Sequence, residues 1–223
     1  MTGTMPKILP LENGDCLSRA EFERRYEAMP QLKKAELIEG VVYMGSPVRV
    51  IHGRPHASII GWLSPYRIAT PGIDLLADTT VRLDADNEPQ PDALLRIEVG
   101  GQSTISEDGY IEGATEFIAE IAASSASYDL REKLRVYRRN QVQEYLVWQV
   151  YNQRVDWFRL REGEYVALSA DESGIIRSEV FPGLWLAVPA LLSGNLLEVQ
   201  SVLQMGLVTL EHQAFVEELS NRG

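Results

Sequence analysis

Three residues have the types and spacing to do chemistry together. Asp92 lies in QPDALLRI, Glu120 in EFIAEIAASS, and Lys133 in SYDLREKLRVYRRN. A carboxylate flanked by Ile118, Ala119, Ile121 and Ala122 is costly to bury without a partner. Two carboxylates near the centres or ends of neighbouring strands, with a lysine on the next helix, suit metal-dependent phosphodiester cleavage. The oxygens would hold a hard cation, and the ammonium would balance charge on phosphate. Taken alone, Glu120 is explained as simply by a salt bridge to an arginine or by a strand end reaching solvent. Asp92 alone reads as a residue capping a turn after Pro91. Its weight comes from a strand-loop-strand unit that can set it beside Glu120.

On the helix, Asp129, Lys133 and Tyr137 recur at four-residue spacing and so share a face. An Asp-to-Lys pair is ordinary surface decoration, but Leu130, Leu134 and Val136 mark the apolar side. Lys133 falls at its edge, where it can reach back over the sheet. Glu36 and Glu39, in AELIEG, both stand at the entry to the first strand. Either could add a third carboxylate, and either could equally be a solvated strand start. His52 and His56, in VIHGRPHAS, are four apart. Gly53 and Pro55 between them argue against the continuous helix that a two-histidine metal site needs. That leaves His56, at a helix start, as a contact to phosphate or within the site.

The elements that must hold these groups follow from pattern. Ser18 and Glu21 form a capping-box pattern before the helix RAEFERRYEAMP, which Pro30 ends. The first strand is expected over Leu37 to Met44, closed by Gly45, Ser46 and Pro47. Pro55 should open the next helix, PHASIIGWLSPYRIA, and Pro65 should kink or interrupt it. TPGIDLLADTTVRLD supplies a turn and one or two strands. Further strands are expected at Pro91 to Ile97 and Phe117 to Ala122, with the excursion GGQSTISEDGYIEG between them as a surface loop near the site.

The lysine helix is expected from about Tyr128 to Asn140. Four more strands read from EYLVWQV, RVDWFRL, YVALS and IIRSEVF. In RVDWFRL, Val155 and Trp157 alternate with Asp156 and Phe158, so both faces should be covered. From LWLAVPALL onward the chain reads as helical, broken near Ser193 to Asn195. Leu196, Val199, Val202 and Leu203 form an apolar side suited to a sheet or to a second copy. The expected organisation is a leader over 1–17, one α/β domain with a mixed sheet over 18–190, and a helical tail over 191–223.

Composition sets limits on function. With 223 residues, 45% hydrophobic and 24% charged, the chain can bury a sizeable core. No apolar run approaches the roughly 20 residues of a membrane span. MTGTMPKILPLENG lacks the basic start and apolar centre of a signal peptide, so the expected location is cytoplasmic. The single Cys16 excludes an internal disulfide and a cysteine-rich metal site. A formal net charge of -11 argues against a protein that lives by non-specific phosphate contacts. Any DNA-binding face must be a local patch, or a metal ion must neutralise clustered carboxylates. Arg131, Arg135, Arg138 and Arg139 are the densest basic group.

ELIEG, a following histidine, QPD, EIAASSASYD and EKLRVYRRNQVQEYLVW together resemble the bacterial putative restriction endonuclease family of the PD-(D/E)XK nuclease superfamily. The resemblance covers about Leu32 to Leu160, and its most specific part runs from Glu120 to Trp148. It implies a restriction-endonuclease-like mixed sheet flanked by helices, and hydrolysis of DNA phosphodiesters with Mg²⁺ or Mn²⁺. By position, Asp92 and Glu120 match the two acidic residues and the metal ligands. The superfamily lysine would stand at Ala122, a departure from the signature. The resemblance moves that role to Lys133 and matches Glu36 to the acidic residue of the N-terminal strand, with Glu39 as the alternative. Homodimerisation is part of the expectation. Two other readings stand beside it: a catalytically inactive module of the same fold that binds nucleic acid or a protein, and a partner protein acting through its C-terminal helices.

Overall fold

Long, fully buried apolar runs dictate the centre of the molecule. In the computed structural model, which describes residues 8–123 and 128–222, FIAEIA, ALLRI and EYLVWQ are buried along their whole length. Strands buried on both faces need layers on both sides, and this sheet has them. Residues 1–7, 124–127 and 223, which include the start of the expected leader and most of ASSAS, lie outside the described residues. So does the side chain of Asp129.

The main sheet is six-stranded and mixed. Its strands are β3 (Ile73–Ala77), β5 (Ala93–Ile97), β8 (Phe117–Ala122), β9 (Glu144–Gln149), β10 (Arg154–Arg161) and β11 (Glu164–Ala167), in the order β11-β10-β9-β8-β5-β3. Only β8 and β9 are parallel, and the crossover a parallel pair requires is the lysine helix. That helix begins as a π-helical turn, Asp129–Lys133, and continues as α3 (Leu134–Arg139).

One face of the sheet packs Leu95, Phe117, Ile121 and Trp157 against Ile59, Trp62, Leu63 and Tyr66 of α2 (Val50–Ala69). The other packs Leu94, Ile118, Ala122 and Val147 against Tyr137 of α3. A smaller third core seats Phe22 of α1 (Arg19–Glu27) on Leu37 and Val42. As expected, RVDWFRL is covered on both sides, with Trp157 in one core and Phe158 against the other.

Several expectations are corrected. Leu37 to Met44 is not one strand but part of a hairpin, β1 (Ala35–Ile38) and β2 (Val41–Met44), turned by Glu39 and Gly40 at φ 51° and 75°. Two adjacent residues at positive φ make the tight turn that matches strand twist. The capping box does not form: Ser18 makes no side-chain cap bond, and the Glu21 carboxylate accepts from Arg24 and Arg25 instead of reaching back to the Ser18 amide. The expected loop between β5 and β8 contains β6 (Thr104–Ile105) and β7 (Ile111–Glu112), which pair with β4 (Val81–Arg82) in a small sheet. Trp185–Ala187 is strand β13, paired with β12 (Ile175–Arg177), rather than helix.

The largest correction concerns α2. It starts at Val50 and runs unbroken through Gly53, Pro55 and Pro65. A proline inside a helix leaves the carbonyl four residues earlier without its donor. For Pro65 that carbonyl is Gly61, and Gln200 Nε2 donates to it at 2.8 Å. Gln200 belongs to α5 (Leu196–Leu207), which follows the short α4 (Val188–Ser193) and precedes α6 (Leu210–Ser220). Val199, Val202 and Leu203 of α5, with Phe215 and Leu219 of α6, are buried in the main core, while Leu196 is half exposed. No helix among the described residues is long and apolar enough to cross a membrane.

Glu144, at the start of β9, is buried and gives the fold a pH dependence. It accepts from Ser178 Oγ (2.8 Å), Glu179 N (2.7 Å), Val180 N (3.1 Å) and Trp157 Nε1 (3.1 Å). Burial pushes its carboxyl up from 4.5 to about 7, and the bonds from Ser178 and the two amides offset only part of that. The folded state therefore holds a proton that the unfolded chain has lost between those two values. Stability should fall as pH rises through that window and level off above it, by roughly 3 kcal/mol in all. Urea unfolding at pH 5 and pH 7.5 should show this decline, and Glu144→Gln should flatten its share.

Candidate functional site

The register of the central strands places the two carboxylates side by side. Ala93 pairs with Ala119 in the antiparallel β5/β8 ladder, so the next position outward sets Asp92 opposite Glu120. Alternation on β8 turns Glu120 to the same face as Ile118 and Ala122, the face that α3 covers. Both carboxylates are buried, Glu120 and Asp92 each at 3% exposure.

Lys133 joins the first strand to this pair. Its Nζ lies 2.7 Å from Glu120 Oε1 and 2.8 Å from Glu36 Oε1, and the lysine itself is only 2% exposed. Glu120 Oε1 also accepts from Tyr137 Oη at 2.8 Å. Lys133, at the end of the π-helical turn, and Tyr137, four residues on in α3, share one helix face and so converge on one oxygen. Glu36 is fixed further by the Gln90 amide, which donates to Oε1 at 2.8 Å.

The structure thus brings Asp92, Glu120, Lys133 and Glu36 together. It does not bring Glu39, which occupies the β1-β2 turn and pairs with Arg135 at 2.8 Å. Nor does it offer a free basic patch on α3. Arg135 and Arg139 pair with Glu39, Arg139 also with Asp84, and Arg138 with Glu164.

Two residues at the site, His52 and Lys34, escaped the sequence reading, whereas His56 was expected there. Because α2 is continuous from Val50, His52 and His56 lie on one face with ring centroids 5.9 Å apart. His52 Nε2 is 3.3 Å from Asp92 Oδ1, and His56 Nε2 is 2.8 Å from the Asp92 carbonyl, which fixes a proton on that nitrogen. Lys34 Nζ stands 3.8 Å from Asp92 Oδ1, and Asp92 Oδ2 accepts the Ile121 amide at 2.7 Å. The four-residue histidine spacing was the available signal for His52. It was overruled by a proline rule that α2 evades.

These contacts set the charges. Burial alone would raise the Asp92 carboxyl, but the His52 hydrogen bond, the Lys34 charge and the Ile121 amide hold it below the ordinary range. The same bond to Asp92 raises His52 against the opposing effect of burial. Burial and the charges of Glu120 and Glu36 push the Tyr137 phenol well up, so it stays a donor.

The cluster opens on a cavity of about 750 Å³ lined by Lys34, Glu36, His52, Asp92, Glu120 and Lys133, together with the Gly45–Arg49 segment, Tyr128 and Tyr151. That volume suits a small ligand or one nucleotide unit. As metal ligands, Asp92 and Glu120 offer oxygen, the donor hard divalent cations prefer. Among the described residues no group of three or more His, Cys, Asp and Glu is arranged to hold an ion, and Glu36 is engaged by Lys133 and the Gln90 amide. The donor set fits a cation held by two carboxylates, with water and phosphate completing its shell, the usual habit of Mg²⁺.

A family model described as "Uma2: Putative restriction endonuclease" matches residues 19–189. The fold is similar to that of a crystal structure of a putative nuclease belonging to DUF820 from Anabaena variabilis ATCC 29413. The TM-score is 0.59 at 14% identity, covering 76% of this chain and 96% of that one. At such identity the likeness is one of fold. No curated protein matches. The family match runs from α1 into α4, well over half the chain, and on that extent the protein belongs to the Uma2 family of putative restriction endonucleases, within the PD-(D/E)XK-like nuclease superfamily.

Proposed function

We propose that the protein is a Mg²⁺- or Mn²⁺-dependent endonuclease that hydrolyses DNA phosphodiester bonds, with Asp92, Glu120, Lys133 and Glu36 as its working residues. The observation that carries this reading is the meeting of Glu36 of β1, Glu120 of β8, Asp92 just before β5 and a helix-borne lysine in one cavity. Asp92 and Glu120 would hold the cation. When bound, it supplies polarisation of a phosphoryl oxygen and acidification of a water. Lys133 balances charge on the phosphate or orients the attacking water, and Glu36 fixes the position of that ammonium. His52 and the Ile121 amide hold Asp92 ionised and aimed at the cavity.

One observation favours a second reading, a nuclease-fold module without chemistry that binds nucleic acid or a protein. Ala122 stands where the superfamily lysine would, and the Lys133 ammonium is clasped by two carboxylates. Incubation of the protein with plasmid and oligonucleotide DNA in Mg²⁺, Mn²⁺ or chelator separates the two readings. Cleavage by the wild type should require a divalent ion, and Glu120→Ala should reduce it at least ~10³-fold, about 4 kcal/mol of transition-state stabilisation. Equal cutting by Glu120→Ala would show the site assignment to be wrong. A wild type that neither cuts nor binds either ion leaves the second reading.

A further inference from the structure

Two lysines line the cavity, Lys34 and Lys133, and they are placed very differently. The Lys133 side chain is 3% exposed, and its Nζ lies within 2.8 Å of both Glu36 and Glu120. That ammonium is committed to the two carboxylates and has little freedom to follow a ligand. The Lys34 side chain is 30% exposed, and its Nζ stands 3.8 Å from Asp92 Oδ1. At that separation the pair attracts but does not form a hydrogen bond. Asp92 is held by other groups, the Ile121 amide at 2.7 Å and His52 Nε2 at 3.3 Å.

The strand that brings Glu36 to the site brings Lys34 as well. β1 begins at Ala35, and residues two apart on a strand face the same way. The root of the Lys34 side chain is fixed. The Gly45 amide donates to its carbonyl at 3.0 Å, and a methyl group on Gly45 would come within 3.0 Å of Lys34 Cβ. Beyond that close approach, a flexible four-carbon stem carries a compact, strongly hydrated charge. An ammonium partly in water, beside a carboxylate of the cavity, is placed to meet an anion that enters. With Asp92 engaged by a divalent ion, Lys34 would lose its present attraction and turn to the phosphate.

We propose that Lys34 is the substrate-contacting cation of this cavity, its ammonium donating to a non-bridging oxygen of the phosphate seated over Asp92 and Glu120. This rests on reading the cavity as a phosphodiester site, and it divides the two lysines by task. Lys34 balances the charge of the phosphate. Lys133 keeps Glu36 and Glu120 together and is left to orient the attacking water. Arg135, Arg138 and Arg139 are already paired with carboxylates. In a chain of formal net charge -11, the positive charge that a phosphate needs therefore stands inside the cavity.

Lys34→Met keeps the stem and removes the charge, and Lys34→Arg keeps the charge. Binding of inorganic phosphate in the presence of Mg²⁺, followed by ³¹P NMR, should weaken about tenfold in Lys34→Met, the size expected for one hydrogen bond to a charged group. Lys34→Arg should recover most of that loss. Mn²⁺ binding, followed by electron paramagnetic resonance, should be as tight in Lys34→Met as in the wild type or tighter, because a positive neighbour of Asp92 is gone. Tight Mn²⁺ binding also shows that the variant is folded. The affinity for a duplex oligonucleotide should lose about one unit of its salt slope, the share of one phosphate contact. Phosphate binding equal to wild type overturns the proposal. So does the loss of Mn²⁺ and phosphate binding together, since the lysine would then act by holding Asp92. If the wild type cuts DNA and Lys34→Met cuts as well, the lysine's role falls and the nuclease reading stands. If the wild type does not cut but loses phosphate binding on the substitution, the nuclease reading falls and the phosphate contact stands. A wild type that neither cuts nor binds phosphate removes both.

Discussion

A chain ending at Ser193 is expected not to fold. The residues removed include Val199, Val202, Leu203, Phe215 and Leu219, all buried in the main core. At about 1.5–3 kcal/mol for each fully buried apolar side chain, five together are of the same size as the whole net stability of a typical domain, about 5–15 kcal/mol. The same cut removes Gln200 from the Gly61 carbonyl, and His212, whose Nε2 lies 2.9 Å from Thr70 Oγ1 at the end of α2. Circular dichroism and limited proteolysis of the shortened chain would decide the matter. A cooperative melting transition near that of the full chain would show that the last helices are an appendage after all.

The second large effect is expected from Lys133→Met. Glu36 and Glu120 each place an oxygen within 2.8 Å of Nζ, and neither side chain exceeds 10% exposure. Removing the ammonium leaves two buried carboxylates facing each other across the gap, a situation that typically costs about 3–5 kcal/mol. The sign with pH follows. The crowded carboxylates would have raised pKa values in the variant, so its stability should recover as pH falls and one takes a proton, and deteriorate as pH rises. Glu120→Ala should be much milder, because Lys133 keeps Glu36. Urea unfolding of both variants at pH 5 and pH 7.5 gives the comparison. If Lys133→Met unfolds like wild type at pH 7.5, the lysine is not what compensates these charges.

The parts of this site that the sequence discloses are those governed by short-range pattern. Apolar runs marked β5, β8 and β9, and a glutamate inside FIAEIA was conspicuous because burial makes it expensive. Four-residue spacing related Lys133 to Tyr137, and both do reach Glu120. What stayed hidden depends on distant or unusual compensation. Pro55 and Pro65 look like helix breakers until Gln200, 139 positions from Gly61, supplies one missing donor. With α2 read as starting at Pro55, His52 was lost from the site. The Glu39–Gly40 turn sits inside an apolar stretch and puts a non-glycine residue at positive φ, so Leu37 to Met44 read as one strand. Strand β13 was absorbed into a helical reading because LWLAVPALL is apolar enough for either, and only its pairing with β12 decides.

The π-helical turn also bears on how this connection tolerates change in length. Surface connections usually absorb insertions and deletions, but here the spacing between sheet and helix works as a gear tooth. A π turn is an α turn with one residue added, so removing one residue from Leu130 to Glu132 would let it relax to ordinary winding and leave α3 in place, whereas adding one would rotate everything beyond it by about 100°. The longer chain would swing the ammonium away from the carboxylates or draw Tyr137 out of the core. This segment should therefore accept the loss of a single position far better than the gain of one.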